Sequence, residues 1–173
     1  MAITANGYDL FELLSALQKC IRRNLEHDAL FFAIELETFN PSALWNRLKI
    51  IASEDVGFAY PLMPILIETL EKHYLSEKAK LNGAHLLFLS NAVVCLCRSQ
   101  KSRVTDDLLN VVLLEKEKEG KRLEIPDFAL DMHTTKGKAK GRGWEHFFNE
   151  GSKLENEYGS NPWKERHRQL RKV

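Results

Sequence analysis

The run Tyr8-Asp9-Leu10-Phe11-Glu12-Leu13-Leu14-Ser15-Ala16-Leu17-Gln18-Lys19-Cys20-Ile21-Arg22-Arg23 decides the fold class. Leu10, Leu13, Leu14, Leu17 and Ile21 recur at i, i+3, i+4 spacing, which lines them up on one face of an α-helix. Asp9 stands where an N-cap belongs, and Glu12 three residues later completes a pattern like a capping box.

The same period continues outward. A second helix is predicted from about His27 to Phe39, with Leu30, Ala33, Ile34 and Leu36 toward the core. Asn40 caps a third, which opens at Pro41 and carries Leu44, Trp45, Leu48, Ile51 and Ala52. Gly57 suits a helix C-cap, and Phe58 to Pro61 form a connection. A fourth helix is predicted over about Leu62–Leu75, with Pro64 in its first turn. A fifth spans about Leu81–Ser99, so apolar all round that it should form the buried centre of a bundle. A sixth runs from near Ser102 to about Glu119 and turns strongly charged at its end, which should project into solvent. No strand pattern competes, and the fold class expected is all-α: a compact bundle of about six helices followed by a loop and one or two short tail helices.

Charge divides the chain near Gly120. Residues 1–119 hold 13 Lys and Arg against 16 Asp and Glu, and residues 120–173 hold 12 against 8. We expect a helical domain at 8–119 and a basic segment at 120–173, either a surface that meets a partner or a solvated tail. The whole chain carries +1, which does not mark a strongly basic nucleic-acid binder. Cys20, Cys95 and Cys97 form no disulfide framework; Cys95 and Cys97 do not share a helix face, so they read as buried free thiols. The start lacks a basic n-region with a clean apolar stretch behind it, and no run approaches the roughly 18 apolar residues of a membrane span. A cytoplasmic protein is expected.

Two blocks carry a family resemblance. Ala16-Leu17-Gln18-Lys19-Cys20-Ile21-Arg22 resembles the "ALxKSIR" opening of the C-terminal domain in the replication-associated recombination protein A family, also called MgsA, whose eukaryotic members are the Werner-helicase-interacting ATPases. Asp28 to Leu36 fills the place of that family's "DAALYWLARML" helix. Asn46 to Pro61, with Ala52-Ser53-Glu54-Asp55-Val56-Gly57 at its centre, is similar to "RRLxxxASEDVGxAxP". Cys97 to Ser102 is a weaker match to "LAxAPKSN". The resemblance covers about residues 10–115. It implies a helical, tetramer-forming domain of an AAA+ ATPase involved in DNA replication, recombination or repair. Lys19, Arg22, Arg47, Ser53, Glu54, Asp55 and Gly57 are the motif positions it singles out as interface candidates, and a homo-oligomer with an AAA+ ATPase or replication protein as partner is what it suggests.

The departures from the family matter as much. No Gly-x-x-x-x-Gly-Lys-Ser/Thr loop occurs, and the first family block begins near the N-terminus, so no ATPase activity and no nucleotide cofactor are expected. The segment from Pro126 to Glu150 departs from the family's usual ending.

Four clusters are candidates for function. Ser53-Glu54-Asp55 sits where acidic groups oppose a helix dipole, so a compensating cation is expected, Arg47 or Arg22. The alternative is a contact with a partner subunit. His133, Lys136, Lys138, Lys140 and Arg142, interleaved with Gly137, Gly141 and Gly143 and followed by Trp144, could cradle phosphate or nucleic acid, or form a solvated loop. Asp131, His133 and His146 do not match a metal spacing, and catalysis or metal binding there is the minor reading. Trp144, Phe147, Phe148 and Trp163 either stack on bases or, as the better reading, pack the tail helix onto the body. Nucleic-acid binding through 133–143 and the basic C-terminus is therefore the alternative to a non-catalytic interaction module.

Overall fold

The computed structural model describes residues 3–80 and 83–172 and is all-α, with no β-strand among them. The chain divides into two compact units, 1–119 and 120–173.

The first unit is a six-helix bundle. Helix α1 (Leu10–Arg22) starts where Asp9 accepts hydrogen bonds from the N–H groups of Phe11 (2.8 Å) and Glu12 (3.2 Å). Its apolar face buries Leu13, Leu14, Leu17 and Ile21, as the spacing requires. A tight turn with Asn24 at φ 58° reverses the chain into α2 (Glu26–Phe39), and the two form an antiparallel hairpin. Helix α3 (Pro41–Ile51) is capped by Asn40, whose side-chain oxygen accepts from Ala43 N–H at 3.0 Å. A second hairpin is built from α4 (Met63–Lys78) and α5 (His85–Arg98), and α6 (Val104–Lys118) closes the unit.

The core gathers Leu17, Ile21, Leu36, Leu44, Trp45 and Leu96, all at most 1% exposed. A buried polar group lies beside Trp45. The buried carboxylate of Glu37 accepts hydrogen bonds from the Tyr74 hydroxyl (2.8 Å) and the Lys78 ammonium (2.7 Å), with Tyr74 tilted against Trp45. Burial is sustainable there because the charge is paired and hydrogen-bonded on both sides.

Four sequence expectations need correction. Helix α4 runs three residues past Leu75, to Lys78. Ile34, expected in the core, lies on the outer side of α2, while Ala29 on the inner side is fully buried. Helix α5 is not covered all round: Leu89, Ala92, Val93 and Leu96 face the core, but Leu87 is 72% exposed. An apolar composition gives no direction once hydrophobic residues occur on every side. The expected start of this helix at Leu81 falls outside the described residues. Finally, α6 has no buried residue along its length, so not only its charged end but also its apolar middle faces outward.

The second unit has little regular structure. A 3-10 turn (Asp127–Ala129) leads to three short helices, α7 (Thr135–Ala139), α8 (Trp144–His146), which continues into a π-turn (Phe147–Gly151), and α9 (Lys164–Leu170). Phe148 is its one buried large apolar side chain among the described residues. No helix among the described residues is long and apolar enough to cross a membrane.

Candidate functional site

Helix α3 does not stop cleanly. It widens into a π-turn over Ala52–Val56 and then a 3-10 turn over Gly57–Ala59. Such wide turns inside helices often mark functional positions, because the added residue re-aims its neighbours. Here it presents two consecutive carboxylates to α1 and to the start of α6.

Asp55 is the hub, with 1% of its side chain exposed. Arg22 reaches it from α1, Nε to Oδ1 at 2.7 Å, and also reaches Glu54, Nη2 to Oε1 at 2.7 Å. Arg103, just before α6, donates through Nη1 to Glu54 Oε1 (2.9 Å) and Asp55 Oδ1 (3.0 Å), and its other amino group pairs with Asp106. Gln18 donates to both carboxylates, at 3.0 and 2.9 Å, and its own carbonyl oxygen accepts from Arg47 at 2.8 Å. The Asp55 backbone carbonyl accepts from Ser102 N–H at 2.8 Å. Burial alone would raise the Glu54 carboxyl, but the hydrogen bonds from Arg103 and Gln18 and the charge of Arg22 outweigh it and hold it below the ordinary carboxylate range. The bond to Glu54, first of all, holds the Arg103 guanidinium above its ordinary value.

Gly57 completes this socket. It has φ 52° and ψ −135°, and a Cβ there would lie 3.1 Å from the Ser102 carbonyl oxygen and 3.3 Å from the Thr105 hydroxyl. The position thus requires glycine both for its backbone and for the close approach of α6.

Of the motif residues singled out in the sequence, Arg22, Glu54, Asp55 and Gly57 come together directly. Arg47 joins through Gln18 rather than through a carboxylate. Ser53 is exposed on the rim, and Lys19 turns away to the Ser15 hydroxyl. Of the two expected cations, Arg47 and Arg22, it is Arg22 that reaches the carboxylates, and Arg103 joins it. Arg103 lies 48 residues from Asp55, and Gln18 lies 37 residues from it, so no local spacing announces either.

Beside this socket, Lys49, Ile50, Ser53, Glu54, Asp106 and Leu109 are among the residues lining a groove of about 550 Å³ between the end of α3 and α6. It opens onto the apolar side of α6, where Leu108 is 62%, Leu109 57% and Val112 40% exposed.

In the second unit, the glycine- and lysine-rich stretch is a structured turn rather than an open loop. Thr134 caps α7 by accepting from Gly137 N–H at 3.0 Å. Gly137 packs on the Asp131 carbonyl so closely that a Cβ would fall 1.8 Å from that oxygen. Arg142 donates to the backbone oxygens of Asp127 (2.6 Å) and Leu130 (2.7 Å) and pairs with the Asp127 carboxylate, which Lys140 also holds at 2.7 Å. Lys140 and Arg142 are thus engaged within their own unit, while Lys136 and Lys138 are exposed on α7. Asp131 spends a side-chain oxygen on His133 N–H, and the His133 ring stands edge-on to Phe147 at 5.9 Å. No group of three His, Cys, Asp or Glu able to hold a metal occurs among the described residues.

The tail aromatics pack on one another. Trp144 and Phe148 lie 6.0 Å apart, His167 stands edge-on to Phe148 at 5.0 Å, and the Arg171 guanidinium sits 4.0 Å over the Trp144 ring. Trp163 stays 75% exposed outside this cluster.

No family model matches this chain, and no curated protein matches it significantly.

Proposed function

We propose that the protein is a non-catalytic module that assembles with its own kind, and that it serves the AAA+ ATPases of DNA replication, recombination or repair. The resemblance of residues 10–115 to the MgsA C-terminal domain supplies the pathway and the tetramer. The observation that carries the self-association is helix α6: fifteen residues, no buried side chain, and an apolar middle left open to water. A contiguous apolar surface of this kind marks an interaction site in a folded protein. The Asp55 socket supports the same reading, since it fixes the base of α6 at two carboxylates and gives an otherwise uncovered helix a defined position.

Light scattering on a size-exclusion column tests this reading. A mass of two or four chains at micromolar concentration is expected, falling to one chain in L108E/V112E. Because neither residue is buried, that variant should keep the helical circular-dichroism spectrum of the wild type. A wild-type monomer at high micromolar concentration would remove the proposal.

A second reading, nucleic-acid binding by residues 120–173, is favoured by the exposure of Lys136 and Lys138 on α7 and by the cations of α9. Lys140 and Arg142, committed to Asp127, contribute less to it. Binding of a labelled oligonucleotide should weaken steeply with salt, and K136A/K138A should flatten that dependence. Salt-independent binding, or none, would end this reading.

A further inference from the structure

We propose that α6 is covered by the α6 of a second copy, running antiparallel about a two-fold axis near Val111 and Val112, with Leu113 of each copy entering the Ile50–Leu109 groove of the other. This rests on the self-association reading above.

The first argument is extent. The apolar side chains from Val104 to Leu114 are 40% to 62% exposed, and Leu108, Leu109, Val112 and Leu113 share the half of the helix toward the groove that a second copy would cover. Ile50, 47% exposed, and the groove walls supply area of the same kind beside it. No separate partner surface is needed, because a two-fold contact uses the same patch twice.

The second argument is the seam. Thr105, Leu108, Leu109, Val112 and Lys116 follow i, i+3, i+4, i+7, i+11 and so share one side of α6. Thr105 and Leu109 also line the groove, so this side adjoins α3. A helix laid antiparallel along the seam brings Leu113 of the second copy beside Leu109 and Asn110 of the first, at the mouth of the groove.

The third argument is charge. At the base of α6, the carboxylates of Glu54, Asp55 and Asp106 are in contact, among the described residues, with two guanidiniums, Arg22 and Arg103, and Asp107 follows. Arg47 is taken by Gln18, and Lys49 by Glu71 at 2.9 Å. Antiparallel packing carries Lys116 of the second copy to this acidic end. Lys116 continues the seam, whereas Glu115 and Glu117 point about 100° to either side of it. Parallel packing would set each Lys116 against its own copy, and would align the two helix dipoles side by side in the same direction.

Disulfide trapping in air-oxidised protein, with the wild type and its three native cysteines as the control, tests the arrangement. V112C lies next to the axis and should form a covalent dimer within the range that a disulfide spans. T105C should form none with itself, because antiparallel packing separates the two positions by about 20 Å along the helix. Covalent dimers of T105C would show parallel packing and overturn the proposal. An oligomeric mass without V112C cross-linking would overturn it too, while leaving self-association standing and placing the contact elsewhere, including on residues 120–173. A monomeric mass would remove both readings.

Discussion

Arg103 Nη1 lies 3.0 Å from Asp55 Oδ1, and this contact joins the wide turn after α3 to the residue that launches α6. Asp55 is almost wholly buried, whereas Arg103 keeps 40% of its side chain exposed. The pair is therefore asymmetric: the carboxylate depends on its partners, and the guanidinium retains water.

That asymmetry sets the cost of removing each partner. D55N leaves two half-solvated arginines, loses charge-assisted hydrogen bonds, and should destabilise the first unit by about 2–3 kcal/mol. R103A leaves Asp55 with Arg22 and Gln18 and should cost less. Urea denaturation read by circular dichroism measures both, and R103A more destabilising than D55N would contradict the hub assigned to Asp55.

G57A should cost about 1–3 kcal/mol, from a backbone conformation that side chains rarely adopt, with the contact against Ser102 and Thr105 added. Gly120 also has a positive φ, 61°, but a Cβ there meets nothing within 4 Å. G120A should therefore be the milder change. Equal thermal midpoints for the two variants would show that α6 does not press on Gly57.

G137A should disrupt the second unit and spare the first. A methyl at this position collides with the Asp131 carbonyl, which is backbone and cannot rotate away. Limited proteolysis should show new cleavage between residues 127 and 142 with the helical core protected. An unchanged digestion pattern would mean that the packing of α7 on Asp131 is dispensable.

The Glu37 network predicts a stability plateau with two edges. Burial would raise the Glu37 carboxyl, but hydrogen bonds from Lys78 and Tyr74 hold it below its ordinary value. Its contribution is present above the unfolded value of about 4.3 and is lost as pH falls through the lower folded value. Burial holds the Tyr74 hydroxyl above its ordinary value. Lys78, which burial alone would lower, is raised by its bond to Glu37. Both contributions are present below the unfolded values near 10 and are lost as pH rises through the raised folded ones. E37Q should flatten the acid edge of a stability-versus-pH profile, and an unaltered edge would place the acid sensitivity elsewhere.

Burial pushes the Cys97 thiol up to about 11. With almost no thiolate at pH 8 and no exposed surface, Cys97 should react with a disulfide reagent only as fast as the protein opens. C97A should remove the slowest phase of labelling and no other. Fast modification of Cys97 in the folded protein would contradict its burial.

Much of the helical framework was legible without coordinates. Asp9, Asn40 and Pro41 act within a few residues of themselves, so their capping roles follow from local geometry. The same holds for the buried face of α1, whose polar and apolar positions are cleanly separated. Helices α5 and α6 were harder for one shared reason. Both are apolar on several sides, and composition then leaves open which side is covered, or whether any is.

The sequence alone determined an all-α chain, the capped starts of α1 and α3, the lack of a nucleotide-binding loop motif, and the acidic turn at Glu54-Asp55 as a place needing positive charge. Only the tertiary structure decided that Arg22 and Arg103 supply that charge, that Arg142 and Lys140 are spent on Asp127, and that α6 lies uncovered. The reason is physical. Capping and periodicity are fixed by neighbours along the chain, whereas ion pairs and burial depend on which distant segments meet when the core closes.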